Sequence, residues 1–304
     1  MNRPSAPSIL AQGCDESGPT THTNAVSAFG AGVGHASAWT RRGFAILGLG
    51  LALLGGSTWL SNVAAQQTQQ PNIAAASDLQ FALEEVATSF TRETGRSVNL
   101  TFGSSGNFLR QIQQGAPFQM FLSADEGFVQ QLAQAGKTED GGTLYAIGRI
   151  VLFAPTGSSL RVDTELADLR TALADGRIQR FAIANPEHAP YGRAAEEALR
   201  SRGLWDAVQP RLVLGENVSQ AAQFATSGSS QGGIFAYSLA LSQHVGDRGS
   251  YVLIPAEWHM PLRQSMVLLK GAGDTARAFY AYVQQPAARA IFRKYGFVLP
   301  GEAS

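Results

Sequence analysis

Cysteine is almost missing from this 304-residue chain: its single instance is Cys14, which precedes the one long apolar run rather than following it. No disulfide framework or thiolate metal site can be built from that. Net charge is missing too, since 23 Lys and Arg balance 23 Asp and Glu. With no basic excess and no aromatic–basic stripe, nucleic acid is excluded as a partner, and a charged ligand has to be captured locally rather than steered from a distance. Histidine is scarce. Beyond residue 65 only His188, His244 and His259 remain, none four residues apart, which excludes a helix-borne zinc pair. Two enzyme signatures fall short as well. Gly103-Ser104-Ser105-Gly106-Asn107 lacks the second glycine of a nucleophile elbow. Gly136-Lys137-Thr138 has Gln131 where a phosphate loop needs its first glycine. The chain therefore reads as a non-enzyme, with His188 shaping its loop rather than catalysing.

What is present begins with a leader. Residues 1–39 are rich in Ser, Gly, Ala and Thr without apolar periodicity. Arg41-Arg42-Gly43-Phe44 then opens an apolar run over 44–60, which exits through Ser61-Asn62-Val63-Ala64-Ala65. Basic residues, a short glycine-broken apolar stretch and a small-residue exit describe an export signal, with Val63 and Ala65 at a peptidase's −3 and −1 positions. The twin arginines suit a twin-arginine signal. An uncleaved membrane anchor is the alternative, because the run is near the minimum spanning length. Residues 1–65 are thus expected to be signal and disordered leader.

The mature part alternates strand-like and helix-like runs. Strands are expected at 72–75, 98–102, 120–122, 149–154, 181–184, 211–214, 233–236, 251–254 and 265–269. Helices are expected at 107–114, 128–135, 166–174, 194–202, 219–226, 275–283 and 287–295. A further helix carries Leu79, Leu83, Val86 and Phe90 on one face. This alternation implies βαβ units with ligands at the carboxyl ends of the strands. We read two α/β lobes, 66–148 plus 254–304 and an inserted 149–253.

Four positions stand where a strand-like run gives way to a helix: Ser77 in AAASDLQFAL, Ser105 in FGSSGNFLRQI, Tyr191 in IANPEHAPYGRAAEEAL and Val218 in LGENVSQAAQF. Helix starts carry unpaired N–H groups and the positive end of the dipole. Converging on one cleft, they would bind an oxyanion through Tyr191 and Val218 N–H groups and the hydroxyl and N–H groups of Ser77 and Ser105. Each has a plainer local reading. Ser77 with Gln80 and Asn217 with Gln220 have capping-box spacing, and GSSG makes a tight turn. Asp78 would repel a dianion or accept a proton from a protonated one; it is expected to face solvent and supply only its N–H.

The stretches AAASDLQFALEEVA, FGSSGNFLRQIQQGAPFQMFLSAD, GRIVLFAP, IANPEHAPYGRAAEEAL, GENVSQAA and IFRKYGF, in that order, resemble the periplasmic molybdate-binding proteins of ABC transporters over nearly the whole mature length. The resemblance implies a two-lobed type II periplasmic-binding-protein fold, each lobe a mixed sheet flanked by helices with the ligand cleft between. It implies a monomer in the periplasm that binds molybdate or tungstate, without a cofactor and without protein–metal bonds, and hands it to a membrane permease. By motif, the ligands would be Ser77, Ser105, Tyr191 and Val218. Some members add a tyrosine hydroxyl after a Gly-Ile-Val strand; here Gly233-Ile234-Phe235-Ala236 puts Tyr237 one residue late, on the opposite face of a strand, so it is not expected to be a ligand. A receptor for sulfate or another tetrahedral anion, and an anion-sensing ectodomain, are the alternatives.

Overall fold

A computed structural model describes residues 70–302. The expected export signal at 1–65 lies outside the described residues. The strands are β1 (Asn72–Ala76), β2 (Asn99–Gly103), β3 (Met120–Ser123), β4 (Thr143–Gly148), β5 (Ile150–Pro155), β6 (Phe181–Ala184), β7 (Leu212–Gly215), β8 (Gly232–Ala236), β9 (Gly249–Leu253) and β10 (Leu262–Leu268). The helices are α1 (Gln80–Thr94), α2 (Ser105–Gln113), α3 (Glu126–Gln134), α4 (Ala167–Ala174), α5 (Pro190–Ser201), α6 (Trp205–Val208), α7 (Val218–Thr226), α8 (Tyr237–Ala240), α9 (Gln243–Gly246), α10 (Asp274–Val283) and α11 (Pro286–Lys294).

Two mixed five-stranded sheets result, in the orders β2-β1-β3-β10-β4 and β7-β6-β8-β5-β9. They share one plan. In each, three parallel strands sit side by side (β2, β1, β3 or β7, β6, β8), followed by a strand running antiparallel (β10 or β5) and then an edge strand. The chain passes from the first sheet to the second at Arg149, between β4 and β5, and returns through 254–261 before β10.

Burial follows the sequence pattern. Strand β1 is nearly all buried, as a parallel strand covered on both faces must be. One face of the first sheet packs Leu83, Val86 and Phe90 of α1 against α10 and α11, with Phe90 edge-on to Phe279 at 5.2 Å. The other face packs α2 and α3 through Phe108, Ile112, Val129 and Leu132. The second sheet is covered by α4, α5 and α7, and its core reaches Ala76 and Ala124 of the first. Helix α1 stops at Gly95, whose left-handed φ of 69° suits the residue beyond a helix end and returns its N–H to the Thr91 carbonyl.

The elements depart from expectation in several places, among them the short helices α6, α8 and α9, which the apolar pattern does not indicate, and β10, which begins at Leu262. Strand β4 was not anticipated; its core position is created by pairing with β10, 119 residues away in the Tyr145–Gln264 contact. Helices α2 and α5 start earlier than the apolar stripe indicates, at Ser105 and Pro190, because glycine and a first-turn proline carry the helix back to the strand. Residue 237 leaves the strand to open α8 rather than extending β8.

Candidate functional site

The carboxyl ends of the parallel strands in both sheets meet across a cleft. Strand β1 delivers Ser77, β2 delivers Ser104 and Ser105, the loop after β6 delivers Tyr191, and the loop after β7 delivers Val218. All four expected positions line one small cavity together with Asp78, and all four are buried. The cavity is small, with a volume of ≈ 10 Å³. Wider clefts exist, including one of ≈ 540 Å³ that also has Ser77 in its wall. Buried donors, rather than size, single out the small one.

Its donors are neutral. Ser105 and Val218 are the first residues of α2 and α7, and Tyr191 is the second of α5, so their N–H groups lie too early to have intrahelical acceptors. The serine hydroxyls are oriented from behind. Ser105 Oγ accepts the Ala124 N–H at 3.0 Å and Ser77 Oγ accepts the Ser219 N–H at 3.3 Å, which leaves each hydroxyl proton free to donate. No Lys or Arg lines the cavity among the described residues. No group of three or more His, Cys, Asp or Glu among them is placed to hold a metal ion.

Capping turns out differently at the two expected boxes. Asn217 caps α7 by accepting the Gln220 N–H at 3.1 Å, and Gln220 reaches back to the Glu216 N–H at 2.7 Å. Ser77 caps nothing: it begins a short 3₁₀ turn, Ser77–Leu79, and its hydroxyl faces the other lobe. That frees it for a ligand.

The lobes are tied directly around the cavity. Ser104 Oγ donates to the His188 carbonyl at 2.6 Å, so it must accept from His188 Nδ1 at 3.0 Å, and Gly106 N–H donates to the same carbonyl at 3.0 Å. A Cβ on Gly106 would lie 2.6 Å from that oxygen. Ser219 Oγ donates to the Ser77 carbonyl at 2.8 Å, and at the rim Arg193 pairs with Asp125. His188 thus positions the loop before Tyr191, as expected of it.

Asp78 contradicts its expectation. Its side chain is 1% exposed and lies between the lobes, not in solvent. Its Oδ2 accepts from Tyr191 Oη at 2.9 Å and Gln264 Nε2 at 2.6 Å, while Gln264 Oε1 accepts from Tyr145 Oη at 2.7 Å. Asp78 Oδ1 is buried with no partner. Burial pushes this carboxyl up to about 6, although the Gln264 and Tyr191 hydrogen bonds pull it the other way. Burial, and then the Asp78 charge, raise the Tyr191 phenol well above its ordinary value. Gly148 makes room for this cluster, since a Cβ there would overlap Tyr191 Oη. Tyr237 is not among the residues lining the cavity. Its ring lies tilted against that of Tyr251, with centroids 6.0 Å apart, and packs beside Gly296. The sequence reading missed Gln264, Tyr145, Ser104 and Ser219. Only Ser104, inside the GSSG turn, carried a local signal.

A family model described as bacterial extracellular solute-binding protein matches residues 71–298. The chain is 39% identical over 218 residues to molybdate-binding protein ModA of Rhodobacter capsulatus, covering 71% of this chain and 82% of that one. The solved periplasmic molybdate-binding protein of Azotobacter vinelandii is 33% identical, with a TM-score of 0.69 and coverage of 76% and 100%. The sulfate-binding protein SubI of Mycobacterium tuberculosis H37Rv shares the fold alone, at 15% identity and a TM-score of 0.62 over 76% of this chain and 87% of that one.

Proposed function

The chain belongs to the bacterial extracellular solute-binding protein family, and on that footing we propose that it captures molybdate, or tungstate, between its lobes and delivers it to the permease of an ABC transporter. The observation that carries this reading is the convergence of three helix N-termini and two pre-oriented serine hydroxyls on one buried cavity without a cation. Such a site suits a fully ionised tetrahedral oxyanion. Each hydrogen bond to a charged group contributes about 1.5–3 kcal/mol net, so five to seven outweigh the cost of stripping the ion's water. Six donors are at hand: the hydroxyl and N–H of Ser77 and Ser105, and the N–H groups of Tyr191 and Val218.

In this reading Ser77, Ser105, Tyr191 and Val218 contact the anion, and the protein makes no bond to the metal. A two-lobed protein admits its ligand by hinging. The hinged bodies are 66–148 with 254–304, and 149–253, joined at Arg149 and at the stretch before β10. The chain is exported by its 1–65 leader, acts in the periplasm and works as a monomer.

Purified protein tests this in a thermal-shift panel of molybdate, tungstate, sulfate and phosphate. Ligand at about a thousandfold over its dissociation constant adds roughly 4 kcal/mol of stability. Molybdate and tungstate are expected to raise Tm strongly. A response to sulfate or phosphate with none to molybdate overturns the assignment.

A further inference from the structure

We propose that Asp78 is the proton-binding half of the anion site: a fully ionised oxyanion enters together with one proton, which resides on Asp78 Oδ1 and hydrogen-bonds the ion. This rests on the oxyanion reading above and adds to it a co-bound proton and the residue that holds it.

The geometry makes the argument. Asp78 lines the cavity, and its two oxygens are treated differently. Oδ2 is occupied by two donors, Tyr191 Oη and Gln264 Nε2, whereas Oδ1 is buried with no partner. A buried polar atom without a partner is costly. As a carboxylate, Oδ1 would also set a negative charge beside a dianion in a cavity that contains no cation. A proton on Oδ1 removes both penalties. It turns the orphan acceptor into a donor, and it leaves Oδ2 as the acceptor that Tyr191 and Gln264 require.

In α1 the first ionisable residues are Glu84, which is exposed, and Glu85, which pairs with Lys294, and the other neighbouring elements supply no competing charge. Helix α5 presents Tyr191, β4 presents Tyr145, β10 presents Gln264, and α8 presents Ser238, whose Oγ donates to the Asp78 carbonyl at 2.7 Å. Helix α7 and strand β2 contain no ionisable residue, and Tyr237 of α8 packs beside Gly296. Arg193 and Arg263 face Asp125 and Glu126 at the rim, and His188 is held by Ser104. Burial outweighs the Gln264 and Tyr191 hydrogen bonds and holds the carboxyl at about 6. The competent, protonated fraction then falls tenfold for each pH unit above that, and apparent affinity falls with it.

Calorimetry with sodium molybdate in two buffers of different ionisation enthalpy counts the protons. At about pH 8 the wild-type protein is expected to take up close to one proton per anion. Its Kd is expected to rise about tenfold per pH unit between roughly pH 6.5 and 8. Asp78→Asn, which supplies an N–H at Oδ1 and keeps an acceptor for Tyr191 and Gln264, is expected to take up none, with a flat pH profile and tighter binding than wild type at pH 8. Wild-type binding with no proton uptake overturns the proposal whether or not the variant folds. Uptake that persists in Asp78→Asn also overturns it, since the proton would then belong to the anion. Absence of any binding heat near pH 6 overturns the oxyanion reading itself.

Discussion

Ser105 is held so that its hydroxyl proton is free to give. One of its lone pairs is engaged by Ala124 N–H, and the residue lines the cavity. Ser105→Ala is expected to weaken molybdate binding by about 1–3 kcal/mol, the range for one hydrogen bond to an ion, while Tyr237→Phe leaves Kd unchanged; calorimetry on both variants checks this. Asp78 makes a separate prediction about stability. Its carboxyl sits at about 6 in the folded protein against 3.8 for the ordinary group, so the folded state binds more protons between those values. Its stabilising contribution is therefore complete below 3.8 and is lost as pH rises through 6. Asp78→Asn should match wild type below about pH 4 and exceed it in denaturant midpoint above about pH 6; equal midpoints at high pH would contradict the buried-carboxyl account. Residues of both kinds were not equally legible. Ser77, Ser105, Tyr191 and Val218 declare themselves through local helix-start grammar. The place of Asp78 depends on Tyr191 and Gln264, which lie 113 and 186 residues away in sequence.

At the scale of elements, the start of α2 does two tasks at once. Its first N–H faces the cavity, and the next, from Gly106, docks on the His188 carbonyl ahead of α5. Gly106→Ala would bring a Cβ to 2.6 Å from that oxygen. Because the contact is backbone, nothing can rotate away, and the expected cost is about 1–3 kcal/mol of overpacking. It falls on lobe approach, not on the first sheet's own core. The variant should keep its helical circular dichroism while molybdate affinity drops by one to two decades. Helix interiors and parallel strands were readable because period and burial are written in adjacent residues. Strand β4 was not, because half-exposed Thr143 and Leu144 and a bulge opposite Gln264 and Ser265 break the alternation. The apolar stripe by itself places the starts of α2 and α5 two and four residues late; Ser105 and Pro190 mark them through turn and helix-start residues instead.

Over the whole molecule, two sheets of the same plan present the ends of their parallel strands to one another, so the site exists only where the halves touch. The ties across the cleft differ in kind. Tyr191–Asp78, Ser104–His188 and Ser219–Ser77 are buried or nearly so and adjoin the cavity, whereas Arg193–Asp125 lies at the rim, with its side chains 43% and 28% exposed. A pair so exposed contributes about 0–1 kcal/mol and is screened by salt. It cannot create the closed state, but it can adjust how long closure lasts. Arg193 is the partner to change, because Asp125 also caps α3 by accepting the Gly127 N–H at 2.7 Å. Arg193→Ala should therefore speed molybdate release by up to about fivefold, the kinetic equivalent of 1 kcal/mol, and leave association nearly as it was. Stopped-flow exchange against excess tungstate measures release, and direct mixing with molybdate measures association. The variant's advantage in release should shrink at high salt, where the wild-type pair is already screened; a difference that persists undiminished there would mean that Arg193 holds the lobes through its packing on the Phe128 ring, 5.4 Å away, rather than through its charge.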